Sequence, residues 1–303
     1  MSSIIIMFIC ALLAMAFFTL LERKILGYIQ LRKGPNKVSI MGIPQPMADA
    51  LKLFTKESSI PMNANMLVFI SAPMLGLFLA LILWIIYPYK SSPFLMKWSI
   101  MLFLCVSSMN VYTTLLSGWS SNSKYSLIGS LRSIAQTISY EISMSLVILS
   151  PMIMISSLSF NMFYKMGSMS FIMLMWPLVL MWFITSLAET NRTPFDLSEG
   201  ESELVSGFNT EYSSGSFALI FMAEYMNIII MSLITVCFFM LIPMNYLISD
   251  MYMVIMLSMI SMLFIYARGT YPRIRYDKLM SLTWKQFLPM TLWYIMIIMF
   301  ITV

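Results

Sequence analysis

Residues 4–21 read IIIMFICALLAMAFFTLL, and the charged triplet Glu22-Arg23-Lys24 follows them directly. As a helix, this uncharged run would extend about 27 Å, close to the hydrocarbon thickness of a bilayer. Its backbone groups could find no partners in lipid except each other, so a helix is the only structure that fits. The run therefore predicts a transmembrane helix that ends at a charged membrane face.

A cleaved signal peptide is the alternative for this run, because Ala14-Met15-Ala16 resembles a cleavage site. However, no positive charge precedes the run, and it continues unbroken to Leu21. We therefore expect a retained helix.

Similar runs recur along the whole chain, which is 60% apolar and only 10% charged, against about 25% charged residues in soluble domains. The remaining seven runs are Met66–Tyr87, Trp98–Gly118, Ile134–Ser157, Met169–Ala188, Phe217–Leu241, Met251–Ala267 and Phe287–Val303. They predict an all-α membrane protein with eight transmembrane helices in one multi-pass domain, residues 1–303. Pro73, Pro151 and Pro177 fall within runs and are expected to kink them.

The sequence lacks the residues and motifs that several kinds of chemistry require. The chain has no His, and Cys10, Cys105 and Cys237 all lie inside apolar runs without a Cys-x-x-Cys motif. We find no Walker motif, no Gly-rich dinucleotide fingerprint and no catalytic triad. We therefore expect no metal or iron–sulfur site, no NADH site, no catalytic residue and no nucleic-acid binding in this chain.

The positive charges are distributed unequally between the two sides. With eight spans, fifteen of the 18 Lys and Arg fall in the loops at 22–65, 119–133, 189–216 and 268–286, and Lys90, Lys97 and Lys165 fall opposite. This asymmetry predicts that the basic loops face the cytoplasm or matrix and that both termini lie on the other side. Function is expected on the basic side.

The first basic loop contains a short amphipathic segment. Its apolar positions recur at i, i+3, i+4 and i+7, namely Met47, Ala50, Leu51 and Phe54, and Asp49 lies off that face. The spacing predicts a helix in the membrane interface. The helix could serve as a plain surface anchor or line a ligand site, and the spacing favours neither.

The third basic loop is crowded with acids. Six of the chain's 13 acidic residues occur in 23 residues: Glu189, Asp196, Glu199, Glu201, Glu203 and Glu211. Because crowded carboxylates repel, some are expected to bind protons near neutral pH and to pass them on. A hydrated loop with helix-capping acids is an equally good interpretation.

Two further acids lie within apolar runs, Glu141 after Tyr140 and Glu224 before Tyr225. A charge inside the bilayer costs about 2.5–3.5 kcal/mol, so such residues usually face water or a partner. They are candidates for a proton path, and the alternative is a neutral Glu in an interhelical hydrogen bond.

The basic-side segments resemble the quinone-site membrane subunits of respiratory complex I. The matching stretches, about a third of the chain, are Leu21–Lys37, Gln45–Glu57, Gly118–Glu141, Ala188–Tyr212 and Arg268–Pro289, with Ala223–Asn227 as a sixth. The run AETNRTPFDLSEGESELVSGFN, residues 188–209, is the most specific. Ser39 and Ser133 depart from the pattern, where Gly and Ala are expected.

The resemblance implies a core membrane subunit of the proton-pumping NADH:ubiquinone oxidoreductase, inactive alone, in the mitochondrial inner membrane. Ubiquinone is the implied substrate, while flavin and iron–sulfur clusters belong to partner subunits. Implied partners are the peripheral-arm quinone-module subunits, neighbouring small membrane subunits and membrane lipid. The implied tunnel residues are Arg23, Arg32, Asp49, Phe221 and Arg268. The implied proton path comprises the six loop acids, Tyr140, Glu141, Glu224 and Tyr225.

Three other functions fit parts of the sequence. A stand-alone ion transporter or channel would explain the buried acids, although transporters usually show internal repeats and none is visible. The homologous subunit of a membrane-bound hydrogenase would share the loops. A purely structural anchor for the peripheral arm would leave the chemistry elsewhere.

Overall fold

The fold is all-α, as predicted. A computed structural model describes residues 2–88, 96–166, 174–198, 200, 205–241 and 246–302, and every regular element in those ranges is helical. The helices are α1 (Ser2–Ile29), α2 (Gln45–Thr55), α3 (Met66–Trp84), α4 (Ser99–Ser120), α5 (Lys124–Ile155), α6 (Phe160–Met166), α7 (Trp176–Glu189), α8 (Ser214–Thr235), α9 (Tyr246–Thr270), α10 (Tyr276–Leu282) and α11 (Leu288–Thr302). A π-helical turn, Val236–Met240, extends α8, and another, Thr283–Phe287, joins α10 to α11.

The prediction of a membrane protein is confirmed. Within the described ranges, seven helical segments are long and apolar enough to cross a bilayer: Ile4–Ile29, Met66–Trp84, Ser99–Ser120, Lys124–Ile155, Ser214–Met240, Ser249–Thr270 and Tyr276–Ile301. The predicted span Met169–Ala188 corresponds to α7, a shorter apolar helix of 14 residues, and residues 167–173 lie outside the described part. The eighth crossing thus stays a prediction.

Several helices continue beyond the apolar runs into the charged segments. α1 runs on through Glu22 to Ile29, because no proline interrupts it before the left-handed residue Leu31 (φ 55°). α5 begins at Lys124, ten residues before its predicted apolar run. Charged and polar side chains near the basic side are therefore fixed on helices rather than carried on loops.

The three prolines differ in their positions. Pro73 and Pro151 lie inside α3 and α5, as predicted. Pro177 instead lies in the first turn of α7, just after a bend at Met175. Proline fits a first turn because its missing N–H would have no partner there.

The most deeply buried spans are α5 and α8. α5 packs against α4, α7 and α11, and α8 packs against α3, α1 and α9. An aromatic cluster closes the end of the bundle beside α6, where Phe238 contacts Phe163 at 5.2 Å and Trp182 at 5.8 Å between ring centroids. The bundle is thus held by apolar packing at that end and opens to polar side chains toward the other.

The predicted amphipathic helix is confirmed as α2, which lies against α1 and α8. Its apolar residues Met47, Leu51 and Phe54 are exposed. Asp49 faces α1 and forms an ion pair with Arg23, with 2.6 Å between Oδ2 and Nη1. One side of α2 therefore binds the bundle, and the other exposes apolar side chains.

Candidate functional site

One face of α4 carries a stripe of polar side chains. Asn110, Thr113, Thr114 and Ser117 are spaced i, i+3, i+4 and i+7, so they share a face of the helix. All four line a partly open cavity of about 80 Å³, which we call the acidic cavity. This volume accommodates several water molecules, at about 10–15 Å³ each on the same measure.

The remaining walls supply carboxylates and amides. α7 ends in Glu189, and Thr190 and Asn191 follow it along the wall. α8 contributes Glu224 and Asn227, which are three residues apart and share a helix face. Gly76 of α3 also lines the cavity, and a Cβ at this position would lie at an ordinary contact distance, 3.8 Å, from Thr113.

A second cavity, of about 20 Å³, continues the acidic cavity deeper into the bundle. Asn110, Glu189 and Asn227 line both. Glu189 therefore stands between two polar spaces. Its buried Oε2 has no hydrogen-bond partner among the described residues.

The two predicted residues on α5 have different surroundings. Glu141 lies close enough to Glu189 for the two carboxylates to interact electrostatically. Tyr140 is completely buried, with ring centroids 5.7 Å from Phe195 and 6.4 Å from Phe287. Its buried hydroxyl has no partner in the described part of the chain.

A buried ion-pair network, the Glu22 cluster, joins three parts of the chain. The Glu22 carboxylate of α1 binds Arg268 at the end of α9 and lies 3.8 Å from Nη1 of Arg192, which follows α7. Tyr225 of α8 also hydrogen-bonds Glu22. The Arg192 guanidinium lies over the Tyr225 ring, 4.6 Å from its centroid. Sequence analysis had not assigned a role to Glu22 or Arg192.

The predicted tunnel residues gather around α1, α2 and α8, with one exception. Arg23 and Asp49 form the ion pair between α1 and α2. Arg268 connects to them through Glu22, the neighbour of Arg23. Arg32 lies beyond the end of α1 with its side chain exposed.

Phe221 continues the aromatic face of α8. Its ring centroid lies 4.3 Å from that of Phe217 and 6.4 Å from that of Tyr225. An aromatic row therefore runs along α8 toward the Glu22 cluster.

The acidic loop is described only in part. Glu199, Glu201 and Glu203 lie outside the described residues. Asp196 is buried and forms an ion pair with Arg273, with 3.0 Å between Oδ2 and Nη2. Glu211 is half-buried just before α8.

Gln136 of α5 is a third residue that sequence analysis missed. It is completely buried, and its Nε2 donates to the backbone oxygens of Ala188 at 3.0 Å and Phe195 at 2.6 Å. The backbone N–H of Ile274 donates to Pro194 at 2.9 Å in the same segment. The start of the acidic loop is therefore fixed from two sides.

Tyr212 fixes the other end of that loop. Its ring stacks on Phe69 with 4.1 Å between centroids, and its hydroxyl donates to the backbone oxygen of Ser117 at 3.3 Å. Burial raises the pKa of Tyr212 to about 12, and a hydrogen bond with Ser120 opposes this rise. The phenol therefore stays neutral at physiological pH.

Patterns in the sequence could have indicated some of these residues. The polar stripe of α4 has helical spacing inside an apolar run, and Asn227 lies three residues after Glu224. No local pattern marks Gln136, since its partners are 52 and 59 residues away. Within the described residues, no group of three or more His, Cys, Asp or Glu is arranged to bind a metal ion.

These features define an all-α, multi-pass membrane protein with a carboxylate-lined cavity among its helices. The family model for NADH dehydrogenase matches residues 2–299. The chain therefore belongs to the NADH dehydrogenase family, and it is a core membrane subunit of NADH-ubiquinone oxidoreductase, the respiratory-chain enzyme.

Curated relatives agree along almost the entire chain, and each is named NADH-ubiquinone oxidoreductase chain 1. The relative from Aedes aegypti is 52% identical over 96% of this chain and 92% of its own length. That from Locusta migratoria is 52% identical, covering 95% and 91%, and that from Heterololigo bleekeri is 51% identical, covering 97% and 94%. The family predicted from the basic-side segments is confirmed.

Proposed function

We propose that this chain forms much of the tunnel through which ubiquinone reaches its reduction site, and the acidic path that couples reduction to proton translocation. The protein lies in the mitochondrial inner membrane, with the basic loops on the matrix side and both termini on the intermembrane-space side. Electrons arrive through flavin and iron–sulfur clusters held by partner subunits, which include the quinone module of the peripheral arm and small membrane subunits.

One observation carries the coupling part of this proposal. Glu189, in the wall of the acidic cavity, and Arg192, in the Glu22 cluster, are separated by only two residues. On α8, Glu224 of the cavity and Tyr225 of the cluster are adjacent. A change of charge or position at the cluster is therefore passed to the cavity over three peptide units after α7 and over one on α8.

The tunnel part of the proposal rests on α1, α2 and α8. A long apolar quinone tail needs an apolar surface, and the aromatic row Phe217, Phe221 and Tyr225 supplies one beside α2. The half-exposed Arg23–Asp49 ion pair joins α1 to α2. Its charges can orient a polar head group without being deeply desolvated.

Proton transfer follows from the burial of the carboxylates. Reduction of a quinone to a quinol takes up two electrons and two protons, and protons withdrawn from side chains near the Glu22 cluster would make the charge there more negative. Among the described residues Glu189 Oε2 is buried without a hydrogen-bond partner, and a buried carboxylate that is not paired favours its protonated form. Charge at the cluster shifts that balance, and Glu189, Glu141 and Glu224 then exchange protons in sequence.

A Glu189→Gln variant in the assembled complex tests this function. Gln preserves the shape of the side chain and cannot carry the proton, so we expect ubiquinone reduction and proton pumping to fall at least about tenfold. Electron transfer from NADH to an artificial acceptor at the flavin should be unchanged. Glu57→Gln, an exposed residue of the first basic loop, is the matched control.

Wild-type ubiquinone reduction and pumping in an assembled Glu189→Gln complex would refute the acidic path. For Glu141, a Gln variant that pumps the normal number of protons per electron would remove that residue from the path. Photo-crosslinking of a quinone-site inhibitor tests the tunnel separately, because the label should fall on α1, α2 or α8.

A further inference from the structure

An open cleft lies where α4 begins and α5 ends, at the opposite ends of these helices from the basic loop that joins them. Its volume is about 510 Å³, against about 80 Å³ for the acidic cavity. This is within the range of about 300–1,000 Å³ that is typical of ligand sites. We call it the α4–α5 cleft, and it is lined by Lys97, Trp98, Leu149, Met152, Ile153 and residues 156–159.

The turn after α5 fixes the shape of this cleft. Ser156 adopts a left-handed conformation (φ 52°) and ends α5. The chain then crosses the start of α4, where the backbone N–H of Ile100 donates to the backbone oxygen of Leu158 at 3.2 Å. The backbone N–H of Phe160 donates to Ser99 Oγ at 2.9 Å. Hydrogen bonds between the two walls therefore hold the cleft open as part of the fold.

The cleft changes from apolar to charged along its length. Leu149, Met152 and Ile153 are spaced i, i+3 and i+4, so they form one apolar wall on α5. Ser156 lies about 10 Å further along the helix axis than Leu149, at a rise of about 1.5 Å per residue. At this end the exposed side chain of Lys97 precedes α4. A ligand that fits the cleft is therefore apolar along α5 and polar beside Lys97.

The polar end of the cleft favours an anion. The sequence places a single acidic side chain, Asp250, in the segments that join the predicted spans opposite the basic loops. This carboxylate accepts a hydrogen bond from the hydroxyl of Tyr164. An anionic group can therefore bind Lys97, and none of the described residues that line the cleft opposes it with a negative charge.

Trp98 indicates the depth of the cleft in the membrane. Its side chain is 63% exposed, and tryptophan is enriched where hydrocarbon meets the lipid head groups. Because Trp98 adjoins Lys97, we expect the charged end of the cleft at the level of the lipid phosphates and Leu149 in the hydrocarbon. A soluble anion would leave the apolar wall unfilled, and an acyl chain alone would not use the charge of Lys97.

We propose that the α4–α5 cleft binds one phospholipid of the membrane, with its phosphate beside Lys97 and an acyl chain along Leu149, Met152 and Ile153. One lysine compensates the charge of one phosphodiester, so the site recognises the phosphate rather than a particular head group. The cleft shares none of its described lining residues with the acidic cavity, and the proposal depends on neither the quinone tunnel nor the acidic path.

Photo-crosslinking in the intact, reconstituted complex tests this site. A phosphatidylglycerol with a diazirine in its acyl chain should label residues 149–153. A diacylglycerol with the same chain lacks the phosphate and should label them at least about fivefold less. Lys97→Gln should reduce the labelling by phosphatidylglycerol by a similar factor. Lys165→Gln, the same change at an exposed lysine of α6 outside the cleft, should be labelled like the wild type.

Equal labelling of the wild-type complex by the two lipids would overturn the proposal, because the cleft would then accept acyl chains alone. This comparison needs no variant, so it decides the question even if Lys97→Gln does not assemble. A label that is absent from residues 149–153 also overturns the proposal, since another subunit would then fill the cleft. If Lys165→Gln lowers the labelling as much as Lys97→Gln, lipid is attracted to this face in general and the specific site fails.

Discussion

Replacing Gln136 with Leu tests how the segment after α7 is held. Leu has a similar volume and no donor, so the two bonds from Nε2 to the backbone oxygens of Ala188 and Phe195 are lost while packing is largely preserved. Each oxygen retains one backbone bond, because Ala188 also accepts from the N–H of Asn191 and Phe195 from that of Leu197. Neither carbonyl is left unsatisfied, which limits the damage.

The magnitude follows from these contacts. Two hydrogen bonds contribute about 1–3 kcal/mol together. Oε1 of Gln136 is buried without a partner in the described chain, so its removal offsets part of the loss and brings the net cost to about 1–2 kcal/mol. Since 1.4 kcal/mol is a factor of ten, local opening should become about 5–30 times more frequent.

Hydrogen exchange of the intact complex, followed by mass spectrometry, measures this opening. Amides of residues 187–197 should exchange about 5–30 times faster in Gln136→Leu, and those of α3 and α4 should not change. Gln286→Leu, at an exposed position, is the matched control. Unchanged exchange in residues 187–197, or an equal increase throughout the chain, would refute the view that Gln136 holds this segment locally.

Two further substitutions test the packing and the charges. Gly129→Ala should destabilise the chain by about 1–3 kcal/mol, because its Cβ would lie 2.9 Å from the Cα of Gly207. The control Gly215→Ala should be tolerated, because a Cβ there would have nothing within 4 Å. Equal thermal stability of the two variant complexes would contradict this prediction. Glu22→Gln should cost about 3 kcal/mol, since it removes the negative charge that Arg192 and Arg268 share in a largely buried site, whereas Asp49→Asn in the half-exposed pair should cost less than about 1 kcal/mol. Melting of the complexes compares them, and a larger loss for Asp49→Asn would be inconsistent with the burial of Glu22.

The helices of this fold were largely predictable, and their ends were not. Lipid allows no alternative to a helix for apolar runs, so segments such as Met66–Tyr87 were found within a few residues. Hydropathy shows where an apolar run ends, but it does not show how far the helix continues into the charged residues that follow. α1 therefore extends eight residues beyond Leu21, as far as the first residue that leaves the helical conformation.

The candidate site was predicted only where single residues are conspicuous. Glu141 and Glu224 were identifiable because a carboxylate inside an apolar run requires a reason. Gln136 and Arg192 were not, because their roles depend on partners from other helices that no local spacing reveals. The stripe on α4 was visible in principle, but Ser and Thr are frequent between packed membrane helices, so only the cavity indicates a role for the stripe.

The segment that follows α7 connects the polar regions of this protein in very few residues. Glu189 faces the acidic cavity, Arg192 joins the Glu22 cluster, and Asp196 pairs with Arg273 beyond α9. Because Gln136 and the N–H of Ile274 bond its backbone, this segment is fixed to α5 and to the last basic loop at once. A displacement at either end therefore cannot be absorbed within the segment and must move Glu189 or Arg192 relative to its partners. This is the property that the proposed coupling element requires, and an unrestrained hydrated loop would lack it.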